Sequence, residues 1–320
     1  MRDVCVLGLG LIGGSVLRAA RAAGRTAWGA TSSAEDVRAA TAEGFDVEPS
    51  VDEALRRAVE SDALVVIAVP LPAVDEVLRR VAAVAPGCRL TDVVSLKGPV
   101  ADAVRRLAPD ARYVGGHPMA GTSSSGWSSS DATMFDGAAW VVTTDRADDV
   151  LTDVIALALE SGAHVVPTTA AEHDSAVARI SHLPHVLAAV LASVGADGGP
   201  LALALSAGSF GDGTRVAGSR PELVRAMCEG NRAALLHAVD DALGRLGAAR
   251  GSLASTGGLA KTIEAGYEGR EALIAQRETR RTEVTIDLDS SSALDALDAL
   301  GSRGGRIIAL NGRTALAETS

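Results

Sequence analysis

His117 stands in Gly115-Gly116-His117-Pro118-Met119-Ala120-Gly121, at the carboxyl end of an expected strand, where an imidazole can take up and release a proton near neutral pH. Flanked by glycines and a proline it is poorly explained as core filler, a structural hydrogen bond being the other reading. Ser95 stands in Thr91-Asp92-Val93-Val94-Ser95-Leu96-Lys97-Gly98, at the carboxyl end of another expected strand. Alone a serine does little; beside a histidine it can orient the ring or share a proton. Lys97 reads equally as a charge converging on the same place or as a solvated loop charge. Further on, Glu172-His173-Asp174 opens a helical stretch that continues into Ser181-His182-Leu183-Pro184-His185. The spacing of His182 and His185 hints at a metal, but the nearby acids form no zinc pattern and Pro184 disturbs the helix. No metal is expected, and His182 is read as facing a substrate. Arg215 follows Phe210-Gly211-Asp212-Gly213-Thr214; its planar guanidinium matches a carboxylate in bidentate fashion, against the plainer reading of a surface arginine.

These side chains need a frame, and the first residues supply its start. Val4-Cys5-Val6-Leu7 breaks on Gly8-Leu9-Gly10-Leu11-Ile12-Gly13 and resumes as Ala-rich sequence, which reads as strand, turn, helix. Gly8 permits the tight turn, Gly10 lets the backbone approach a pyrophosphate, and Gly13 lets helix and strand pack closely. The free N–H groups at the helix start face the negative charge. Candidate cofactor contacts are Gly8, Gly10, Leu11, Ile12, Gly13, Thr31, Ser32, Val69 and Ser95. The second strand ends Gly29-Ala30-Thr31-Ser32-Ser33, without the acid that usually meets an adenosine ribose, and no arginine follows at once to clamp a 2′-phosphate. The cofactor is therefore NAD or NADP, with a slight lean to NADP.

Short β-rich runs alternate with helices up to about residue 168, with strands expected near 3–8, 26–30, 63–69, 89–94, 112–115, 138–144 and 163–166. Val65-Val66-Ile67-Ala68-Val69 is apolar throughout, as a strand buried on both faces requires. The expected fold is α/β: a Rossmann-type doubly wound parallel sheet over 1–168, an all-helical domain over 169–280, and a short β-α-β tail over 281–320. Helices are expected near 170–196, 200–208, 221–249 and 252–278, too apolar for a solvated rim, so part of that surface should be buried in a dimer.

Composition narrows the rest. With 320 residues, 47% of them hydrophobic, the chain can build about two domains with sizeable cores. A net charge of −10 without a dense Lys/Arg block argues against nucleic acid or an anionic membrane surface as partner. Cys5, Cys88 and Cys228 lie far apart, without metal spacing, and read as buried small hydrophobes in a reducing compartment. The first strand begins near residue 3, leaving no room for a signal peptide, and Leu183 to Ala196, interrupted by Pro184 and His185, is too short to span a bilayer. A cytoplasmic protein acting on a small molecule is expected.

Together, Gly8-Leu9-Gly10-Leu11-Ile12-Gly13-Gly14-Ser15, Asp92-Val93-Val94-Ser95-Leu96-Lys97, Gly115-Gly116-His117-Pro118-Met119-Ala120-Gly121 with Ser125-Gly126-Trp127, and Ser181-His182-Leu183-Pro184-His185 resemble the prephenate/arogenate dehydrogenase family of tyrosine biosynthesis. The ordered match covers about residues 1–280. It implies a Rossmann domain, a helical dimerisation domain, and oxidative decarboxylation of prephenate to 4-hydroxyphenylpyruvate or of arogenate to tyrosine. By that resemblance His117 accepts the proton of the ring 4-hydroxyl, Ser95 hydrogen-bonds that His and the hydroxyl, and Arg215 binds a substrate carboxylate. His182 contacts the substrate nearby, with Ser123 and Gly208 completing the candidate substrate contacts. Three departures stand out. Ser123 replaces a frequent acid, Val224 replaces a frequent aromatic after Pro221-Glu222-Leu223, and residues 283–310 resemble one half of an ACT-type regulatory domain. Feedback inhibition by tyrosine through such a domain is accordingly expected to be weak or absent. A relative acting on 4-amino-4-deoxyprephenate, and a non-catalytic dinucleotide-binding sensor, are the competing readings.

Overall fold

The structure, a computed structural model, describes residues 1–122, 124–145 and 149–319. Its contacts divide the chain into two units, Met1–Asp174 with Glu283–Thr319, and Ser175–Thr282.

In the first unit, β1 (Val4–Leu7), α1 (Leu11–Ala22), β2 (Ala27–Ala30), α2 (Ala34–Ala42), β3 (Asp46–Val47), α3 (Val51–Glu60), β4 (Leu64–Ile67), α4 (Val74–Val84), β5 (Arg89–Asp92), α5 (Gly98–Leu107) and β6 (Arg112–Tyr113) build a parallel sheet. Its order, β3-β2-β1-β4-β5-β6, reverses between β1 and β4, the switch point at which doubly wound sheets bind ligands. β1 and β4 are wholly buried, because helices cover both faces. α2 and α3 begin on Ser33 and Ser50, whose hydroxyls accept the N–H groups of Asp36 and Glu53.

The chain then leaves this sheet. The strands expected near 138–144 and 163–166 belong to a second six-stranded sheet, ordered β10-β12-β11-β9-β8-β7. It comprises β7 (Gly116–Pro118), β8 (Ala139–Thr143), α6 (Val150–Glu160) and β9 (His164–Thr168). From the tail come β10 (Thr282–Asp287), α14 (Ala293–Ser302), β11 (Arg306–Asn311) and β12 (Thr314–Thr319), numbered after the helices of the second unit. β8 and β9 are parallel, whereas β7–β8, β9–β11 and β11–β12 are antiparallel. The tail thus carries one strand more than the sequence pattern indicated. Leu297, Leu300 and Ile307 are buried in the core that also holds Val142 and Val165. A Cβ at Gly301 would lie 1.7 Å from the Pro167 carbonyl oxygen, so only glycine lets α14 press this closely onto β9.

The second unit is helical: the end of α7 (Ala170–Val177), α8 (Leu183–Asp197), α9 (Gly199–Ala204), α10 (Gly208–Thr214), α11 (Pro221–Gly230), α12 (Arg232–Ser255) and α13 (Ala260–Glu278). The helix expected near 170–196 runs through Pro184, with the disturbance confined to the turn before it. A π turn, Ala178–His182, widens the backbone just before it, which accommodates the proline ring and its missing N–H. The run Ala170–Asp197 is consequently 28 residues long, enough by length and composition to cross a membrane. The helix expected over 221–249 breaks at Asn231, and that expected over 252–278 starts late, because α12 continues until Gly257, at φ 72°, turns the chain. Leu187, Val190, Val194, Leu201, Leu236 and Leu246 lie exposed on these helices.

Candidate active site

Cofactor candidates occupy the carboxyl edge of the parallel sheet. β1 runs into Gly8 at φ 104°, where a Cβ would lie 2.6 Å from the Ala68 carbonyl oxygen and 3.0 Å from Val69 Cγ1. A Cβ at Gly13 would lie 1.9 Å from the Gly8 carbonyl oxygen, so α1 packs onto the turn without space for a methyl. Gly10, at the N-cap of α1, has nothing within 4 Å of where a Cβ would point. Its main chain therefore opens outward at the helix turn carrying Leu11 and Ile12, where N–H groups lack helical acceptors and an anion fits. Thr31 and Ser32 follow β2, and Val69 follows β4, on the same edge. The Ser33 hydroxyl is used in capping α2, and Thr31 Oγ1 accepts from Ser33 N–H at 3.4 Å.

The segments that hold His117 and Ser95 are tied by buried charge. Lys97, wholly buried rather than solvated, donates from Nζ to the Asp92 carboxylate and to the Gly116 carbonyl at 2.5 Å. The second Asp92 oxygen accepts from Tyr113 O–H at 2.6 Å, and the first also accepts from Val94 N–H at 2.8 Å. Burial pulls the Lys97 ammonium below its usual range, while Asp92 opposes it. Burial and the Asp92 charge push the Tyr113 hydroxyl well up, so it remains a donor. This lattice fixes the β5–α5 bend on which half-buried Ser95 sits, and clamps Gly116 beside the end of β5. A Cβ at Gly116 would lie 2.7 Å from the Asp92 carbonyl oxygen. Glycine here lets β7 start across the end of β5, placing His117 opposite Val141 of β8.

Asp174 joins the same place from α7. Its two oxygens accept Lys97 N–H at 2.9 Å and Gly98 N–H at 2.8 Å, capping α5. Burial pushes its carboxyl up, but hydrogen bonds from His173 and from those two N–H groups outweigh this and hold it below the usual carboxylate range. Asp174 Oδ1 lies 2.8 Å from His173 Nδ1, and His173 Nε2 lies 2.8 Å from Nδ1 of His117. The two rings meet edge to face, at 79°.

In the second unit His182 ends the π turn, 1% exposed, with Asn231 Nδ2 3.1 Å from its Nδ1. An amide N–H donates there, so the ring proton resides on Nε2. Arg215 is exposed and begins a 3₁₀ turn, Arg215–Gly218, packed on α8. Gly208 is the exposed first residue of α10. Val224 is half-buried on α11. Ser123 lies outside the described residues. Among the described residues no three His, Cys, Asp or Glu side chains gather as metal ligands.

Sequence reasoning singled out His117 and Ser95 but missed Asp92, Tyr113, His173 and Asp174 as their support. One signal was available: Asp92 falls inside the strand expected near 89–94 of a sheet covered on both faces, and a charge in a buried strand demands a partner.

Family models describe the same two-part chain. Residues 16–167 match the prephenate dehydrogenase nucleotide-binding domain, and 169–257 the prephenate dehydrogenase dimerization domain. A prephenate dehydrogenase of Lactococcus lactis is 30% identical over 226 residues, which are 68% of this chain and 61% of that protein. The chain thus spans less than two thirds of that relative's length. A cyclohexadienyl dehydrogenase of Zymomonas mobilis is 30% identical over 274 residues, 80% of this chain and 90% of that one. Among solved structures, a Corynebacterium glutamicum protein assigned provisionally as a prephenate dehydrogenase superposes with a TM-score of 0.90 at 43% identity, covering 95% of this chain and 98% of that one. The chain belongs to the prephenate dehydrogenase family, a family of oxidoreductases with a nucleotide-binding domain.

Proposed function

We propose that this chain carries out the NAD(P)-dependent oxidative decarboxylation of prephenate to 4-hydroxyphenylpyruvate, or of arogenate to tyrosine. The observation that carries the reading is His117 Nδ1 at 2.8 Å from His173 Nε2, beside the bend bearing Ser95. Gly8, Gly10, Leu11, Ile12, Gly13, Thr31, Ser32 and Val69 would hold the dinucleotide, whose nicotinamide, when bound, accepts the C4 hydride. His117 takes the 4-hydroxyl proton as that C–O bond gains double-bond character. The ring–carboxylate bond breaks, CO₂ leaves with no proton required, and its electron pair completes the aromatic ring. The proton on His117 returns to the phenolic oxygen. Ser95 hydrogen-bonds the His and the hydroxyl, and Arg215 and His182 are assigned to the substrate carboxylates, with Gly208 and Ser123 as further contacts. Orientation and charge placement are the enzyme's task.

Thr31 and Ser32 offer hydroxyls where an acid would select NAD, which supports a slight preference for NADP; kcat/KM measured with each cofactor tests it. The exposed apolar helices of the second unit support a homodimer formed through that domain, and a net charge of −10 without a dense Lys/Arg block supports a small-molecule enzyme of the cytoplasm rather than a partner of nucleic acid or an anionic membrane surface. Ser123 and Val224, which replace a frequent acid and a frequent aromatic, leave 4-amino-4-deoxyprephenate open as a second substrate reading. Absorbance at 340 nm with prephenate, arogenate and the amino analogue tests all three. Silence with every substrate would overturn the enzymatic reading in favour of a dinucleotide sensor. His117→Asn is expected to lower turnover by about 100-fold or more while sparing cofactor binding.

A further inference from the structure

Asp174 and His173 stand behind His117 in a line that reacting groups need not touch. The line begins with an acceptor. Asp174 is a carboxylate held by two backbone N–H groups, so the 2.8 Å contact with His173 Nδ1 requires the proton on that nitrogen. A neutral His173 then presents its Nε2 lone pair, and the 2.8 Å contact with His117 Nδ1 requires His117 to donate. A neutral His117 with its proton on Nδ1 has the lone pair on Nε2. Were His173 replaced by an apolar residue, nothing in this line would select that tautomer.

We propose that His173 and Asp174 are positioning residues for His117, fixing the tautomer in which its Nε2 is the basic nitrogen and steadying the imidazolium formed when it takes a proton. This rests on His117 being the base of the proposed reaction. The charge gained by His117 is felt through one ring by a carboxylate that accepts only. Other ionisable groups around the line are Lys97 and Asp92, paired with each other, Tyr113, which donates to Asp92, Asp145, whose Oδ2 accepts the Ala170 N–H, and Glu172, bonded to Thr168 and Thr169 hydroxyls. None of these contacts sets the His117 proton. His173 and Asp174 are 3% and 8% exposed, so water does not easily replace either partner.

The test compares His173→Leu, His173→Gln and His117→Asn in the full-length protein. Leu removes the acceptor, whereas a Gln carboxamide oxygen can accept from His117 Nδ1–H. His173→Leu is expected to lower kcat by about 10- to 100-fold, the scale of a misplaced reacting group, with KM for substrate and cofactor within about threefold. The acid limb of its kcat/KM profile should move to lower pH, because the imidazolium loses its support. His173→Gln should restore most of kcat. In ¹⁵N-histidine spectra above its titration, His117 should carry its proton on Nδ1 in wild type and shift toward Nε2–H in His173→Leu. An unchanged acid limb and tautomer in folded, cofactor-binding His173→Leu, with His117→Asn inactive, overturns the positioning role alone. An active His117→Asn overturns the catalytic reading on which it rests. If His173→Leu does not fold, the His173→Gln tautomer and profile decide: a wild-type pattern supports the proposal, and an Nε2–H tautomer overturns it.

Discussion

Replacing Gly10 by alanine is expected to leave the fold intact yet weaken dinucleotide binding by about 10- to 100-fold, or 1.4–2.8 kcal/mol. No atom lies within 4 Å of the position a Cβ would take, and the backbone there, φ −75° and ψ −160°, suits any residue. Two small terms act on folding. Alanine is a poorer N-cap than glycine by up to about 1 kcal/mol, and removing glycine's unfolded-state freedom returns about 0.4–1 kcal/mol. They nearly cancel, so the melting temperature should stay within about 3 °C. Gly13 is the control. Its Cβ would sit 1.9 Å from the Gly8 carbonyl oxygen and 2.8 Å from Ala68 Cβ, both belonging to packed elements, so α1 must move by more than about 1 Å. Overpacking of that kind costs about 3 kcal/mol, or roughly 6–12 °C, before any ligand is added. Thermal melts without ligand and fluorescence titrations with NADH and NADPH separate the two effects. Wild-type affinity in Gly10→Ala would refute the assignment of this turn to a pyrophosphate, whatever Gly13→Ala does.

Lys97→Met leaves the Asp92 carboxylate buried without its cation and should cost about 3–5 kcal/mol, roughly 10 °C in thermal melts, while Asp92→Asn added to it recovers part of the loss. A melt within about 1 °C of wild type would show the pair to be dispensable. Asp174, held below the ordinary carboxyl value of 3.8, stabilises the folded state above that pH, and the contribution vanishes as pH falls through the lower folded value. Asp174→Asn should therefore be less stable than wild type in urea at neutral pH, with the difference shrinking below about pH 4; a pH-independent difference would contradict the charge argument. Truncation at residue 282 removes Leu297, Leu300 and Ile307 from the core and leaves β9 without β11, so the shortened chain should aggregate or melt far lower. Tyrosine inhibition must therefore be measured on the whole chain, where it is expected to be weak or absent; strong inhibition not competitive with substrate would refute that.

What the sequence made legible is what repeats a local rule. The strand, glycine turn and helix at residues 4–22, and the order of strands that follows, come from patterns a few residues long, and the parallel sheet forms where those patterns place it. The second sheet was not legible because nothing local marks it. β6 is two residues long and β7 three, and the change of sheet depends on Gly116 lacking a side chain against the Asp92 carbonyl, a contact between residues 24 apart. The tail reads by itself as a small separate unit, yet Gly301 against Pro167 makes it the wall of that sheet. At the candidate site the same limit applies. His117 and Ser95 stand out because their neighbours are unusual, whereas His173 and Asp174 look like the polar start of a helix. Their meaning lies 56 and 77 residues away, at His117 and at the N-terminus of α5. A burial argument can still flag such polar residues one at a time: a carboxylate at Asp92 inside a buried strand requires a partner, and the cation that meets it, Lys97, lies only five residues on.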